Sequence, residues 1–304
     1  MNEVITTTAI DRRLYWIDEI VKISSDFGSD AKRVEEELVS EIDADGLDAL
    51  LDHLRLCSAI PESYGHDTSE EKLYSKYTDA LISKTYSFLG LKSSVLTERA
   101  DAADVEAVTH EYSFVADAKV FRLSRTAKNQ KDFKVQAMDG WKRGKPFAMV
   151  VCPLYQLPTK TSQIYEQAAA RNVCLFSYPH LAVLARLRSE DGCDAVLELL
   201  HEIFKTVQAM NPSKDASLYW QLVNRTMLSH SGIVADIWRI EKIATGEAID
   251  ISKELALTHY ASEREGIMKM SHDEAIERLI DMHKIESRIA TIKSVSGNLL
   301  MGST

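Results

Sequence analysis

The chain is poor in the residues that mark special architectures. Of its 304 residues only 12 are Gly, 6 Pro and 4 Cys, which excludes collagen-like, low-complexity disordered and disulfide-framework chains. Cys57, Cys152, Cys174 and Cys193 form no CxxC pair, so a zinc knuckle is not expected. Cys152 and Cys174 lie in apolar runs and read as small buried hydrophobes of a reducing, cytoplasmic protein. The longest apolar run, about Phe147 to Leu154, is well short of the ~18 residues that a membrane helix needs. The first residues, MNEVITTTAIDRR, place no basic leader before an apolar stretch, so no secretory signal is read. Neither GxxxxGK[ST] nor GxGxxG occurs, and the histidines show no HExxH or HxxxH spacing. No GxSxG elbow supports a Ser-His-Asp triad. His180, next to Pro179 at a helix start, reads as structural.

What remains is an ordinary globular composition, 45% hydrophobic and 27% charged, with uneven charge. The net formal charge of −10 argues against a nucleic-acid partner. Yet between Lys119 and Lys145 nine basic residues face only Asp132 and Asp139, a local balance of +7 that leaves −17 elsewhere. Such a segregated stretch either binds phosphate or is a solvated helix face with Lys at three-residue spacing.

Apolar spacing predicts helices over Ala9 to Ile23, Ala31 to Leu38 and Leu47 to Leu56. Another is capped by Thr68 or Ser69, runs through Glu71, Leu73, Tyr77 and Phe88, and stops at Gly90. Strands are expected at Asp104 to Thr109 and Phe114 to Phe121, joined by a turn at His110 to Tyr112, then a basic helix from about Thr126 to Trp141. Buried strands follow at Phe147 to Cys152 and Val173 to Phe176, with helices at Ser162 to Ala170 and Pro179 to Leu187. From Ala216 the pattern is helical, with a capping box at Ser271 to Glu274. The expectation is an α/β (α+β-like) fold: a mixed sheet flanked by helices, with a helical N-terminal region (1–66), a core (67–190) and a helical C-terminal region (191–304).

Phosphodiester cleavage needs hard oxygen ligands for Mg²⁺ and a cation beside the attacking water. An acid on one strand with [DE]xK on its neighbour supplies both, because residues i and i+2 of a strand share a face. Four [DE]xK copies occur: Asp30/Lys32, Glu70/Lys72, Asp117/Lys119 and Asp132/Lys134. Only Asp117/Lys119 lies on a strand pattern with an acid, Asp104, upstream at hairpin spacing. Asp104 and Asp117 could share one metal with the Ala118 carbonyl, or the group could be an ion pair at a sheet end. Glu71 could reach the metal from its helix, or simply face that helix's N-terminal dipole.

The run from Glu98 to Val135 resembles the HindIII-type type II restriction endonucleases of the PD-(D/E)xK nuclease superfamily. EKLYSK (Glu71 to Lys76), CPLYQLPTKTSQI (Cys152 to Ile164) and LFSYPHLAVL (Leu175 to Leu184) extend the likeness over about Glu70 to Leu187. The resemblance implies the superfamily's central mixed sheet, with Asp104 as first acid of the motif (Ala103 stands where the motif has Pro), Asp117 as second metal ligand and Lys119 as catalytic lysine. Glu71 becomes an outer or second-metal ligand. It places Arg122, Ser124, Arg125, Thr126, Lys128, Asn129, Gln130, Lys131 and Lys134 on double-stranded DNA. Arg125, Asn129 and Gln130 would contact bases, and Lys128, Lys131 and Lys134 phosphates. It further implies a Mg²⁺-dependent homodimer that cuts A^AGCTT, leaving 5′-phosphate four-base overhangs, and a methyltransferase protecting the same site. Two other readings stay open: a structure-specific repair nuclease of the same superfamily, and a DNA-binding protein whose carboxylates only form ion pairs.

Overall fold

The computed structural model describes residues 3–96, 102–125 and 130–294. Its helix ends follow local chemistry. α1 (Thr7–Ile20) starts at Thr6, whose hydroxyl accepts from the Ala9 amide. α2 (Phe27–Leu56) joins the second and third expected helices across Gly46, whose φ of 69° breaks the helical path. α3 (Ser69–Leu89) is capped by Thr68 and stopped by Gly90 at φ 102°.

Five strands follow in chain order: β1 (Lys92–Val95), β2 (Val105–Val108), β3 (Ser113–Ala118), β4 (Phe147–Cys152) and β5 (Val173–Ser177). They lie side by side in that same order. β1–β2–β3 is an antiparallel meander, whereas β4 and β5 join in parallel. The fold is the expected mixed sheet with helical cover. β4 and β5 are buried along their whole length, as strands reached by crossover helices must be. β1 was not foreseen: Lys92-Ser-Ser carries no apolar alternation, because an edge strand buries little.

Helices α4 (Val135–Trp141), α5 (Gln163–Ala170), α6 (Tyr178–Asp191), α7 (Cys193–Ala209) and α8 (Ala216–His230) complete the cover. α3 lies along β1, β2 and β3, while α4 and α5 pack against β4 and β5. The main core has Phe114, Phe147 and Phe204 at its aromatic centre, and a smaller cluster gathers Ile5, Ala9, Leu56, Ala244 and Ala248.

The single basic helix expected from Thr126 to Trp141 is corrected. Thr126 to Asn129 lie outside the described residues. Beyond them a 3₁₀ turn, Gln130–Phe133, ends at Lys134, whose φ of 49° separates it from α4. Burying Phe133, Val135 and Met138 from so short a stretch requires that reversal.

The chain divides into two compact units, one up to Ala256 and one from Leu257 onward. The N-terminal helices and the sheet share the first. The division falls within α9 (Gly232–Lys269); α10 (His272–Met282) and α11 (Ile285–Ser294) follow it. α10 begins with the expected capping box of Ser271 and Glu274. Among the described residues, no helix is long and apolar enough to cross a membrane.

Candidate active site

β2 and β3 pair with Val105 opposite Ala116. Continuing that register by one step sets Asp104 opposite Asp117. Asp117 is fully buried near the end of β3, and Asp104 at the start of β2 is partly buried. Lys119 lies one residue past β3 and remains tied to the sheet. Its amide donates to the Val151 carbonyl (2.7 Å), and its own carbonyl accepts from Tyr178 Oη (3.0 Å). Strand alternation then returns its ammonium to the Asp117 side, where it forms an ion pair with Asp117 Oδ2. The structure therefore brings Asp104, Asp117 and Lys119 together, with the Ala118 backbone between the last two.

Two further residues join them from α3. Lys76 Nζ donates to Asp79 Oδ2 (2.9 Å) and to Asp104 Oδ1 (3.3 Å). Asp79 is buried. The sequence reading missed both, although an acid inside the apolar run Tyr77-Thr-Asp-Ala-Leu-Ile82 was the available signal, because a buried carboxylate needs a partner.

Burial dominates the electrostatics. It pushes Asp117 up to about 6, with Asp104 adding to the rise and Lys119 opposing it. Burial also drives Asp79 well above the usual carboxylate range, against Lys76. Asp104 is pressed upward by burial too, but the neighbouring carboxyl of Asp117 and the charges of Lys76 and Lys119 outweigh this and leave it lowered. Burial acts to lower Lys119, yet Asp117 and Asp104 keep it raised and hence protonated.

Both carboxylate oxygens of Asp117 are buried without a well-directed hydrogen-bond partner among the described residues; the ammonium of Lys119 meets Oδ2 only as an ion pair. Unsatisfied buried oxygens are costly unless a cation or donor meets them. Two neighbouring carboxylates with open lone pairs form a hard-oxygen donor set of the kind that Mg²⁺ takes. The residues fit a divalent metal.

Glu71 lies elsewhere on α3, a rise of about 12 Å from Asp79. Its Oε1 accepts from Arg122 Nη1 (3.0 Å) and its Oε2 from the Asp67 amide (2.7 Å). With His66 and Asp67 it offers ligand atoms within 4.8 Å of one another, at an exposed position.

The basic segment leaves the site along a path pinned at Phe121, which bridges to Ala59. Arg122 points inward, its Nη2 donating to the carbonyls of Tyr64 (2.9 Å) and Gly65 (2.7 Å). Ser124 donates through its amide and hydroxyl to Glu62. Arg125 stacks on Phe121 (4.1 Å to the ring centre) and pairs with Asp132. Gln130 begins the 3₁₀ turn, and Lys131 on it and Lys134 just past it are exposed. The ammonium of Lys134 sits 5.2 Å from the Trp141 ring centre. Thr126, Lys128 and Asn129 lie outside the described residues.

The family model for the HindIII restriction endonuclease matches residues 14–296. The likeness thus extends far beyond the stretch from Glu70 to Leu187 that carried it by inspection. The type II restriction enzyme HindIII of Haemophilus influenzae is 34% identical over 272 residues, covering 86% of this chain and 89% of that protein. A match of this length, on a chain whose sheet sets an Asp-x-Lys opposite a second Asp, leads to one conclusion: the chain belongs to the HindIII restriction endonuclease family, a family of type II enzymes that hydrolyse DNA.

Proposed function

We propose that the protein is a homodimeric, Mg²⁺-dependent endonuclease that cuts both strands of A^AGCTT and leaves 5′-phosphate, four-base 5′ overhangs. The observation that carries the reading is buried Asp117 and half-buried Asp104 beside Lys119, with both Asp117 oxygens lacking a well-directed donor among the described residues. The sequence of the site is inherited from the family resemblance.

Asp104, Asp117 and the Ala118 carbonyl would hold the metal, which when bound supplies Lewis-acid stabilisation of charge on the phosphate. Lys119 does the remaining positioning. Its backbone is fixed on both sides, by Val151 and Tyr178, so its ammonium is held rather than searching. It orients a water for in-line attack and stabilises the charge that develops as the new P–O bond forms and the bond to the 3′-oxygen breaks.

On the DNA side, Lys131 and Lys134, with Lys128, hold phosphates. Arg125, Asn129 and Gln130 read bases, Arg and Gln being suited to guanine and adenine edges in the major groove. Arg122 and Ser124 anchor the root of this segment to residues 62–65, and Glu71 keeps Arg122 in place from the outer side of the site.

The homodimer reading is supported by the unit from Leu257 onward. It holds ten of the twenty exposed large hydrophobic side chains among the described residues, with Met268, Met282 and Ile292 at 78%, 69% and 71% exposure. α10 and α11 contain no buried residue, and helices of 11 and 10 residues are marginal alone in water. Residues 257–294 carry six basic and seven acidic side chains, a mixture that suits a second copy better than a phosphate backbone. Ten apolar side chains at ~60–120 Å² each reach the ~800 Å² per partner of a standard interface. The reading places the enzyme in the cytoplasm, with a methyltransferase that protects the same site in host DNA.

The test is a digest of unmethylated plasmid carrying one AAGCTT, with Mg²⁺, by the protein and by Asp117→Ala. A single linear product with ends inside AAGCTT, absent for the variant, is expected. Scattered cuts would favour a repair nuclease. Binding without cleavage by either protein would favour a DNA-binding role.

A further inference from the structure

We infer that Lys76 is an exchangeable counter-cation: its ammonium occupies the Asp79–Asp104 edge of the site and leaves when a divalent metal binds. The inference rests on the metal-site reading above and concerns a residue to which that reading gives no role.

Three observations carry it. First, Lys76 Nζ lies between two carboxylates of different elements, Asp79 on α3 and Asp104 at the start of β2. It therefore stands on an acid that also faces Asp117. Second, its side chain is 36% exposed, whereas Asp79 is 3% and Lys119 12% exposed. Of the two ammonium groups, Lys76 has the route to solvent, and four rotatable carbons let it take that route. Lys119 is fixed by its backbone bonds to Val151 and Tyr178.

Third, the charges require an exchange. Asp79, Asp104 and Asp117 supply at most three negative charges. Lys76, Lys119 and a divalent ion together supply four positive ones, an excess that a poorly solvated site resists. With Lys76 turned out to water, the positive excess falls by one charge. Lys76 thus acts as a positioning residue. Without metal it keeps Asp79 and Asp104 from repelling each other, and it sets a threshold that a weakly held metal must overcome.

The test is calorimetric titration of the full-length protein with Mn²⁺, without DNA, for the native chain and for Lys76→Met, Lys76→Gln, Lys76→Arg and Asp117→Asn. Asp117→Asn should lose the binding. Lys76→Met should bind Mn²⁺ at least about tenfold more tightly, because a charge-assisted hydrogen bond no longer has to be broken. It should also melt lower than the native protein without metal and gain more on adding Mn²⁺. Lys76→Gln keeps a donor for both carboxylates without the charge and should show the same tightening even if Lys76→Met folds poorly. Lys76→Arg keeps the charge and should not tighten. Unchanged or weaker Mn²⁺ affinity in both neutral variants, with Asp117→Asn still abolishing binding, would overturn the role of Lys76 and leave the metal site standing. Equal binding by the native protein and Asp117→Asn would overturn both.

Discussion

His180 shows how a single buried side chain ties this fold to pH. Its Nε2–H donates to Asn224 Oδ1 (3.0 Å), its Nδ1 accepts from Ser177 Oγ (2.5 Å), and its ring stacks on Trp220. Burial lowers its pKa to about 4, with the Asn224 bond opposing. An unfolded chain protonates this ring near pH ~6.5. Between there and pH 4 only the unfolded state takes up the proton, so stability falls as pH falls. The loss from pH 7 to 5 comes to about 2 kcal/mol for this group. Urea unfolding at the two pH values should show that component in the native protein and lack it in His180→Gln. The structural role of this histidine was readable, since Pro179 puts it in the first turn of a helix. That Asp117 and Lys119 meet on one side was readable too, because residues i and i+2 of a strand share a face. Asp79 and Lys76 were not, because their partner Asp104 comes from another element and α3 buries so much of its surface that one acid leaves no periodic mark.

Elements revealed themselves mostly at their ends. Thr68, Gly90, Ser162 and Ser271 mark helix limits through chemistry confined to a few residues, and the structure uses each one. β1 and the break at Lys134 left no such mark, since both are imposed by what packs beside them. Gly90 illustrates the constraint. Its φ is 102°, and a Cβ there would lie 2.2 Å from Cys193 Sγ. Gly90→Ala should therefore lower stability by about 2 kcal/mol or more, combining left-handed backbone strain with the clash. Adding Cys193→Gly should recover the clash but not the strain. Because α3 also carries Lys76 and Asp79, DNA cleavage by Gly90→Ala should fall along with stability. Denaturant titration of the single and double variants separates the two contributions.

For the whole molecule, the proposed dimer makes a sharp prediction. Leu279→Asp with Met282→Asp places charge on the exposed apolar face of α10. Light scattering on the eluting protein should give a monomer mass for this variant and a dimer for the native chain, with the circular dichroism of the sheet-bearing unit retained. A dimer of the double variant would remove this face from the interface. The strand order along the sheet has a consequence for synthesis. Strands are added in the order in which the ribosome makes them, and the cluster of Lys76, Asp79, Asp104, Asp117 and Lys119 spans a short stretch of chain. Contacts this local form quickly, and domains fold from the N-terminus as the chain emerges. The nascent chain therefore possesses its carboxylates and lysines, and the Val151 and Tyr178 that fix Lys119, before Leu257 is translated. On the proposed reading, a double-strand break waits for the unit that begins at Leu257, so the order of translation itself delays the cut.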